Sequence, residues 1–179
     1  MSTSFKSAIE RLKCSVRDVP DFPKPGIMFK DITPILNDGQ LFRLANTIFA
    51  ERYQRKSVER IVAIDARGFL FGAALAYILG IGLTIVRKKG KLPYKSHSQE
   101  YALEYGSGVL EMHVDGVEKN QRVVIIDDLL ATGGTAAAAA KLVEACGGEI
   151  VELAFLVELN FLKGREHLAK YPVFSAISY

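Results

Sequence analysis

The sequence predicts an α/β fold, a parallel twisted sheet with flanking helices, on the basis of three observations. Apolar runs of strand length alternate with helical patterns, Gly147-Gly148 end the second of these helices, and polar residues follow the apolar runs. Such alternation is typical of strand–helix–strand units, whose strands are parallel because the helix crosses back over the sheet. The length of 179 residues fits one domain that spans residues 1–179.

The N-terminal part of the chain carries two helical patterns separated by a proline-rich segment. The first sixteen residues predict a short amphipathic helix. Residues 17–34 hold four of the six prolines and predict an ordered loop without regular structure. Apolar residues then recur at helical spacing, which predicts a helix over residues 38–55.

Four apolar runs in the remainder of the chain predict the core strands, and two segments between them predict helices. The predicted strands are RIVAID, GLTIVRK, RVVIID and EIVELAFLVEL, and the predicted helices are RGFLFGAALAYILG and TAAAAAKLVEAC. Glycines after a helix, as in the second case, are a common C-terminal signal. YALEYG and VLEMHV alternate around Gly106-Ser107-Gly108, which predicts a β-hairpin.

Composition excludes several classes of protein. Hydrophobic residues make up 49% of the chain and charged residues 24%, with a net charge of +3, which is typical of a globular domain. No dense Lys/Arg block is present in the sequence, so nucleic-acid binding is not favoured. Cys14 and Cys146 have neither zinc-site spacing nor a disulfide framework, which fits a reducing cytosol. The longest apolar stretch, residues 69–82, is too short for a membrane span, and we expect a soluble intracellular protein.

The ends of the predicted strands indicate where a ligand binds. In open α/β sheets the ligand lies outside the carboxyl ends of the strands. Those ends carry charged residues of both signs, which suits a ligand with phosphates and hydroxyls. They are Asp65-Ala66-Arg67-Gly68, Arg87-Lys88-Lys89-Gly90-Lys91, Asp127-Asp128 and Glu158.

The glycine turn after the third core strand is open to two interpretations. Residues 131–135, ATGGT, precede the alanine-rich helix, and their N–H groups and hydroxyls suit a phosphate monoester. An ordinary strand-to-helix turn explains the same residues equally well. Other phosphate motifs are absent from the sequence, which contains neither G-x-x-x-x-G-K-[ST] nor G-x-G-x-x-G. His97, His113 and His167 have no metal-ligand spacing.

The acids before this turn require an explanation, because carboxylates repel a phosphate that they face directly. Asp127 and Asp128 suit either a phosphoacceptor site with Mg²⁺ or an acceptor pair for the vicinal hydroxyls of a ribose. A phosphoacceptor pair lies near the start of the receiver fold, whereas this pair lies two-thirds along the chain. The ribose interpretation separates the acids from the phosphate and is preferred.

The sequence around the acids resembles that of a known family. IIDDLLATGGT is similar to the phosphoribosyl-pyrophosphate signature of type I phosphoribosyltransferases. Together with DARGFLFG, VRKKGKLP, LEYG, FPKPGIMFKDITP and LVELNFLKGRE, it resembles the adenine phosphoribosyltransferase family over nearly the whole chain. The resemblance implies the type I phosphoribosyltransferase fold, with residues 1–36 as N-terminal helix and base-binding loop. Residues 93–113 are implied to form a flexible β-hairpin hood.

The resemblance also implies a reaction and partners. Adenine and phosphoribosyl pyrophosphate give AMP and pyrophosphate, with Mg²⁺ held through substrate and water near Asp127 and Asp128 rather than by a dedicated protein site. We expect a cytoplasmic homodimer that binds neither nucleic acid nor membrane. The regions of Arg67 and Arg87 are implied to lie close to the partner subunit.

The implied site residues fall into groups by the part of the reactants they bind. Glu104 is the implied catalytic acid/base for the imidazole proton of adenine. Phe29 stacks on the purine, and the backbone of Met28 and Lys30 pairs with its N1/N6 edge. Family members commonly have serine at Ala66 and arginine at Lys30. The phosphoribosyl-pyrophosphate contacts are Ala66, Arg67, Arg87, Lys91, Asp127, Asp128, Ala131, Thr132, Gly133, Gly134 and Thr135.

Two other functions remain to be distinguished from adenine transfer. One is a phosphoribosyltransferase for another purine base, which competition among bases would identify. The other is a non-catalytic regulator that binds phosphoribosyl pyrophosphate as an effector. LEYG and GIMFKDIT favour adenine, and the presence of Glu104 favours catalysis.

Overall fold

The computed structural model of the chain describes residues 3–102 and 107–179. The chain divides into two compact units, the first ending at Ile48 and the second beginning at Phe49. No helix in the described residues is long and apolar enough to cross a membrane. The boundary between the units falls within one helix.

The first unit confirms the two predicted helices and corrects the segment between them. Within residues 17–34, which we predicted as a loop, two short strands pair in antiparallel fashion with Arg17 opposite Asp31. A short helix follows the second strand. The elements are α1 Thr3–Ser15, β1 Arg17–Val19, β2 Phe29–Asp31, α2 Thr33–Asn37 and α3 Gly39–Tyr53.

The second unit is a sheet with the strand order β5-β6-β4-β3-β7-β8-β9. The strands from β4 to β9 in this order pair in parallel, and β5–β6 is an antiparallel hairpin joined to β4. The predicted α/β fold is therefore confirmed. The elements are β3 Arg60–Ile64, α4 Gly68–Leu79, β4 Gly82–Lys88, β5 Ser96–Ala102, β6 Ser107–His113, β7 Arg122–Leu130, α5 Gly134–Ala145, β8 Glu149–Glu158 and β9 Val173–Ser178, with 3-10 helices at Asn160–Leu162 and Gly164–Leu168.

Two details of the sheet differ from the sequence prediction. The last strand, β9, was not predicted, and it extends the parallel sheet beyond β8. The hairpin was predicted around residues 106–108, but its register pairs Tyr101 with Gly108 and Ala102 with Ser107. Gly108 is therefore a strand residue, and a Cβ there would lie 2.7 Å from the Tyr101 ring. The absence of a side chain at Gly108 leaves room for the Tyr101 ring in this cross-strand contact.

The helices α4 and α5 cover different faces of the sheet. Successive side chains of a strand point to opposite faces. Gly72 of α4 lies close to Ala63 and Ile126, where an added Cβ would be 2.5 Å from the Ala63 Cβ. The neighbouring strand residues Val62 and Ile125 belong instead to the buried cluster that contains the alanines of α5. Both faces of the central strands are thus buried, which explains their continuous apolar sequences.

Candidate active site

The strand order places three predicted clusters of polar residues at one edge of the second unit. The strands β4, β3 and β7 are neighbours and parallel, so their carboxyl ends lie side by side. The segments that follow them begin at Asp65, Arg87 and Asp127. Ion pairs join these segments to one another. Mixed positive and negative charge at a single edge is the arrangement expected from the sequence.

The glycine turn, residues 131–135, is called the phosphate loop below. It lines a small concave pocket of about 80 Å³ together with Asp127 and the first residues of α5. A pocket of this size has room for more than one water molecule, and it suits one small anion. The helix α5 begins at Gly134, within the loop, so backbone N–H groups of the first helical turn are directed toward the pocket.

Close backbone packing fixes the shape of the phosphate loop. Gly133 has φ +87°, a conformation that side chains disfavour. A Cβ there would lie 2.3 Å from the carbonyl oxygen of Gly164. In turn, a Cβ on Gly164 would lie 2.2 Å from the carbonyl oxygen of Ala131. The two segments touch through backbone, and only glycine permits this at both positions.

Asp127 and Asp128 follow the buried part of β7. Asp128 is only 5% exposed, and Asp127 is partly exposed toward the pocket. Burial raises the pKa of Asp127 well above its ordinary value, and the neighbouring carboxylate of Asp128 raises it further. Burial also raises the pKa of Asp128, although the guanidinium of Arg67 opposes this shift. The pair therefore holds a proton more readily than two exposed aspartates.

Arg67 contacts one of these acids. Its Nε lies 2.9 Å from Asp128 Oδ2, and the Arg67 side chain is about one-third exposed. The Asp65–Ala66 peptide bond immediately before it is cis. Asp127 Oδ1 accepts a hydrogen bond from the backbone N–H of Asp128 at 2.8 Å. The cation that we assigned to pyrophosphate thus pairs with an acid assigned to ribose.

The cationic turn, residues 87–91, has its own buried counter-charge. Asp65 Oδ2 lies 3.2 Å from Arg87 Nε and 3.6 Å from Lys91 Nζ, and the Asp65 side chain is almost fully buried. Arg87 also donates from Nη1 to the carbonyl oxygen of Lys91. We had assigned Arg87 and Lys91 to the site but not Asp65. Its position directly before Ala66 at a strand end was the available signal.

Glu111 is a second residue that the sequence analysis missed. It is a buried carboxylate on β6, directly opposite Arg87 in the register of β4 and β6. Its oxygens accept hydrogen bonds from the Gly90 N–H and the Ser98 hydroxyl. In the sequence it appears as one glutamate in an alternating run, and nothing there indicates its partners.

Glu158 lies at the predicted edge of the sheet, but its contacts have a structural role. Its two carboxylate oxygens each accept a hydrogen bond from Arg165 at 2.7 Å. This guanidinium holds the pKa of Glu158 below its ordinary value. Arg165 also donates to the Val173 carbonyl at the start of β9. The pair joins the 3-10 segment to the sheet.

The first unit contains the loop assigned to the base. Phe29 packs edge-to-face against Phe22 with ring centroids 5.0 Å apart, and Met28 is nearly half exposed. The Lys30 ammonium lies 2.5 Å from Asp18, so its side chain forms an ion pair within the unit. Gly26 N–H donates to Asp21 Oδ1, which closes the turn before Met28.

Glu104, the predicted acid/base group, lies outside the described residues. The strands on either side of it are described, and they form the β5–β6 hairpin within the segment 93–113 that we assigned to the hood. Its catalytic role therefore stays a prediction.

Comparisons with known proteins agree with one another over the length of the chain. The phosphoribosyl transferase domain family matches residues 31–177. An adenine phosphoribosyltransferase from Methylacidiphilum infernorum is 54% identical over the whole of both chains. The crystal structure of an adenine phosphoribosyltransferase from Thermoanaerobacter pseudethanolicus superimposes with a TM-score of 0.93 at 52% identity, covering 96% of this chain and 99% of that one. The enzyme from Saccharomyces cerevisiae, solved with an iminoaltritol bisphosphate and adenine, gives 0.91 at 40% identity, with the same coverage.

Proposed function

The chain belongs to the adenine phosphoribosyltransferase family, and on this premise we propose how its residues perform the family's reaction. The enzyme transfers the 5-phosphoribosyl group from phosphoribosyl pyrophosphate to adenine, forming AMP and pyrophosphate in purine salvage. The assignment of residues rests on one observation, that a single edge of the sheet has two adjacent parts of different chemistry. A small anion pocket and an acid pair, buried Asp128 and partly exposed Asp127, adjoin each other there, and Asp127 belongs to both.

This division suits a ribose 5-phosphate group. The phosphate loop offers backbone N–H groups and threonine hydroxyls to the 5′-phosphate. Asp127 and Asp128 accept hydrogen bonds from the ribose hydroxyls, and their charge also favours the positive sugar that forms as pyrophosphate leaves. Since the sugar lies between the acids and the phosphate, the repulsion expected between carboxylates and phosphate is reduced.

Pyrophosphate departure requires positive charge that is already in place. Arg67, Arg87 and Lys91 supply it, together with the backbone of Ala66. Their buried partners, Asp65 and Asp128, hold the cations at the sheet edge before the ligand arrives. Preorganised groups of this kind are typically worth about 3–4 kcal/mol each when they stabilise charge developing in the transition state.

Mg²⁺ is the proposed cofactor, and the donor set fits it. The described part of the chain contains no cluster of three or more His, Cys, Asp and Glu side chains that could hold a metal ion. Mg²⁺ in phosphate-transferring sites commonly uses one or two carboxylates and the substrate's own phosphates. Asp127 and Asp128 would hold it through water and ligand. When bound, it offsets the charge of the leaving pyrophosphate.

The first unit provides the proposed contacts to adenine. Lys30 lies in β2, and Met28 directly precedes this strand. We propose that backbone groups of these two residues accept from the adenine amine and donate to a ring nitrogen. The ion pair of Lys30 with Asp18 leaves the backbone as the part of Lys30 assigned to the base. Phe29 is the proposed stacking partner of the purine.

The function is tested by a radiolabelled adenine assay. Adenine, phosphoribosyl pyrophosphate and Mg²⁺ should yield labelled AMP and pyrophosphate, and competition with hypoxanthine, guanine and xanthine should leave this product dominant. A preference for one of those bases would reassign the substrate. Binding of phosphoribosyl pyrophosphate without turnover of any base would indicate a non-catalytic regulator.

Glu104→Gln tests the proposed acid/base group. We expect turnover to fall by about 100-fold or more, since positioned proton transfer usually contributes about 10²–10⁴-fold. The Kd for phosphoribosyl pyrophosphate, measured by calorimetry, should change little. Glu100→Gln, an exposed glutamate on the same hairpin, is the matched control. Equal losses of turnover and of ligand affinity in Glu104→Gln would contradict the role.

A homodimer is also proposed, and an exposed apolar face supports it. Tyr77 is 89% exposed, and Leu70, Ile78 and Leu83 are also exposed around α4 and β4. Large contiguous apolar surfaces commonly mark interfaces. Light scattering of the protein and of Tyr77→Glu would test this, with a dimer expected only for the first.

The cytoplasm is the proposed compartment, because both cysteines are free thiols.

A further inference from the structure

Glu111 is a buried carboxylate that the reaction as described does not use. The residue is 8% exposed on β6, and both of its carboxylate oxygens have hydrogen-bond partners. Oε2 accepts from the backbone N–H of Gly90 at 2.9 Å, and Oε1 accepts from the hydroxyl of Ser98 at 3.3 Å. A buried carboxylate is costly to desolvate, so its position requires a reason beyond packing.

One partner lies in the middle of the cationic turn. Gly90 has φ +81°, and the turn is closed by the Lys91 N–H donating to the Lys88 carbonyl oxygen. The side chain of Arg87 donates to the carbonyl oxygen of Lys91. The Gly90 N–H and the Lys91 carbonyl are therefore both held by side chains. These side chains, Glu111 and Arg87, are direct cross-strand neighbours.

The other partner lies on the hairpin. The register pairs Ser98 of β5 with Glu111 of β6, and Glu111 in turn with Arg87 of β4. Directly opposite residues share a face of the sheet, so these three side chains form one row across three strands. The row ends at Arg87, whose Nε contacts the buried carboxylate of Asp65. It thus links the hairpin to the cations at the sheet edge.

We propose that Glu111 is a positioning residue that fixes the cationic turn where the pyrophosphate group binds. This inference rests on the proposed function, and it concerns the pyrophosphate end of phosphoribosyl pyrophosphate. Glu111 does not touch the ligand. It acts through the Gly90 N–H, which sets the direction in which Lys91 leaves the turn. The link to Ser98 keeps the Glu111 carboxylate aimed at the turn.

The length of the side chain and its hydrogen bonds, rather than its charge, should decide the effect. Glutamine has the same length, and its carbonyl oxygen can accept from Gly90 while its amide donates to Ser98. Aspartate keeps the charge but is one methylene shorter, so it cannot reach both partners. Glu111→Gln is therefore the conservative variant, and Glu111→Asp and Glu111→Ala are the disruptive ones.

The experiment measures binding of magnesium pyrophosphate by calorimetry and the steady-state KM for each substrate. For Glu111→Ala and Glu111→Asp we expect the Kd of pyrophosphate and the KM of phosphoribosyl pyrophosphate to rise about 10-fold or more. A 10-fold change corresponds to the lower end of the range for the contribution of a hydrogen bond to a charged group. The KM of adenine should stay within about 2-fold. Glu111→Gln and the control Glu100→Gln, an exposed glutamate on β5, should stay within about 3-fold of the parent protein.

Three outcomes would overturn the proposal. They are an unchanged pyrophosphate Kd in Glu111→Asp, equal losses in Glu111→Gln and Glu111→Asp, and a parallel loss of adenine and pyrophosphate affinity. If Glu111→Ala does not fold, the comparison of aspartate with glutamine still decides. A parent protein that makes no AMP would refute the proposed function instead. A parent protein that makes AMP, with Glu111→Asp binding normally, refutes only the role of Glu111.

Discussion

The phosphate loop and the cationic turn lie at the same edge of the sheet, but different forces hold them in place. In the phosphate loop, backbone packs against backbone, and Gly133 and Gly164 touch so closely that neither tolerates a Cβ. In the cationic turn, side chains pair with buried acids, and Arg87 and Lys91 both lie within 4 Å of Asp65. We infer that the first region is rigid, whereas the partly exposed cations of the second can exchange their partners when a ligand binds.

Under the proposed assignment of the two regions, this difference corresponds to the two fates of the phosphates in the reaction. The 5′-phosphate remains on the sugar throughout, so a rigid backbone cradle serves it without loss. Pyrophosphate must be bound, stabilised while it leaves, and then released. Cations with an alternative partner in the protein can be freed from the product by returning to that partner. Changes in the phosphate loop should therefore be severe, and changes in the cationic region graded.

The largest effect is expected for Gly133→Ala, which introduces a side chain into the rigid region. A non-glycine residue at φ +87° costs roughly 1–2 kcal/mol, and the new Cβ would lie 2.3 Å from the Gly164 carbonyl oxygen. The loop must move by a substantial fraction of an ångström. Displacements of this order can cost about 100-fold in rate, so we expect kcat/KM for phosphoribosyl pyrophosphate to fall by that factor.

Gly39→Ala is the control for this substitution. An added Cβ at Gly39 meets no atom within 4 Å, and the residue begins a helix, where alanine is favoured. Activity and Tm should equal or exceed those of the parent. If Gly133→Ala retained kcat/KM within about 3-fold, the loop would be adaptable and the proposed contrast in rigidity would be wrong.

The second prediction concerns the acid pair, which adjoins the rigid loop. The folded-state pKa of Asp127 lies above its ordinary value of 3.8 because of burial and of Asp128. Its contribution to stability is thus fully present below that value and is lost as pH rises through the raised pKa. Asp127→Asn removes this loss while retaining an oxygen that can accept from the Asp128 N–H.

Without ligand and divalent cations, Asp127→Asn should therefore melt above the parent near neutral pH. If the relief is about 1 kcal/mol, Tm rises by about 2–4 °C. The difference should vanish well below pH 3.8, where the Asp127 side chain of the parent is neutral in both the folded and the unfolded protein. Calorimetry across this range measures it, with the exposed Asp115→Asn as control. A lower Tm at neutral pH would mean that the charge is compensated in the folded protein. Activity should fall despite the added stability.

The same contrast explains how much of this site the sequence could predict. The phosphate loop and the acids are close together along the chain, and the pattern of strand, paired acids and glycine turn predicted that they share one edge of the sheet, where residues 131–135 and Asp127 line one pocket. The central strands could also be predicted from the sequence, because β3, β4 and β7 are continuous apolar runs. The close backbone contact of Gly133 could not be predicted from the sequence, because its neighbour Gly164 is distant along the chain.

The missed features depend on contacts between distant segments. The pairing of β1 with β2 is accompanied by ion pairs such as Arg17–Asp31 and Lys30–Asp18, which no local pattern indicates. The strand β9 is short and follows a proline, and its parallel partner β8 is separated from it by 3-10 segments. Asp65 and Glu111 were missed because their partners are set by neighbouring strands, and in the case of Glu111 by the register of β6 against β4 and β5.

The smallest effect is expected for Asp65→Asn. This substitution tests whether Asp65 competes with the ligand for the cations of the cationic turn. The substitution keeps the shape of the side chain but removes the charge that pairs with Arg87 and Lys91. These cations are one-third to one-half exposed, so each pair is worth about 0.5–1 kcal/mol. Pyrophosphate should therefore bind about 2- to 5-fold more tightly. If release of pyrophosphate limits turnover, kcat falls by a similar factor.

The dependence of pyrophosphate affinity on ionic strength distinguishes this electrostatic explanation from a change in the shape of the cationic turn. The advantage of Asp65→Asn over the parent should shrink as salt increases, because these partly exposed charges are screened. Calorimetric titration with magnesium pyrophosphate at low and high salt measures it, and Asp115→Asn should show no such advantage. Weaker binding in Asp65→Asn at every salt concentration would mean that Asp65 chiefly orients the cations and does not compete for them. In that case the cationic region would resemble the phosphate loop, a preformed site whose partners do not exchange, and rapid pyrophosphate release would need another cause.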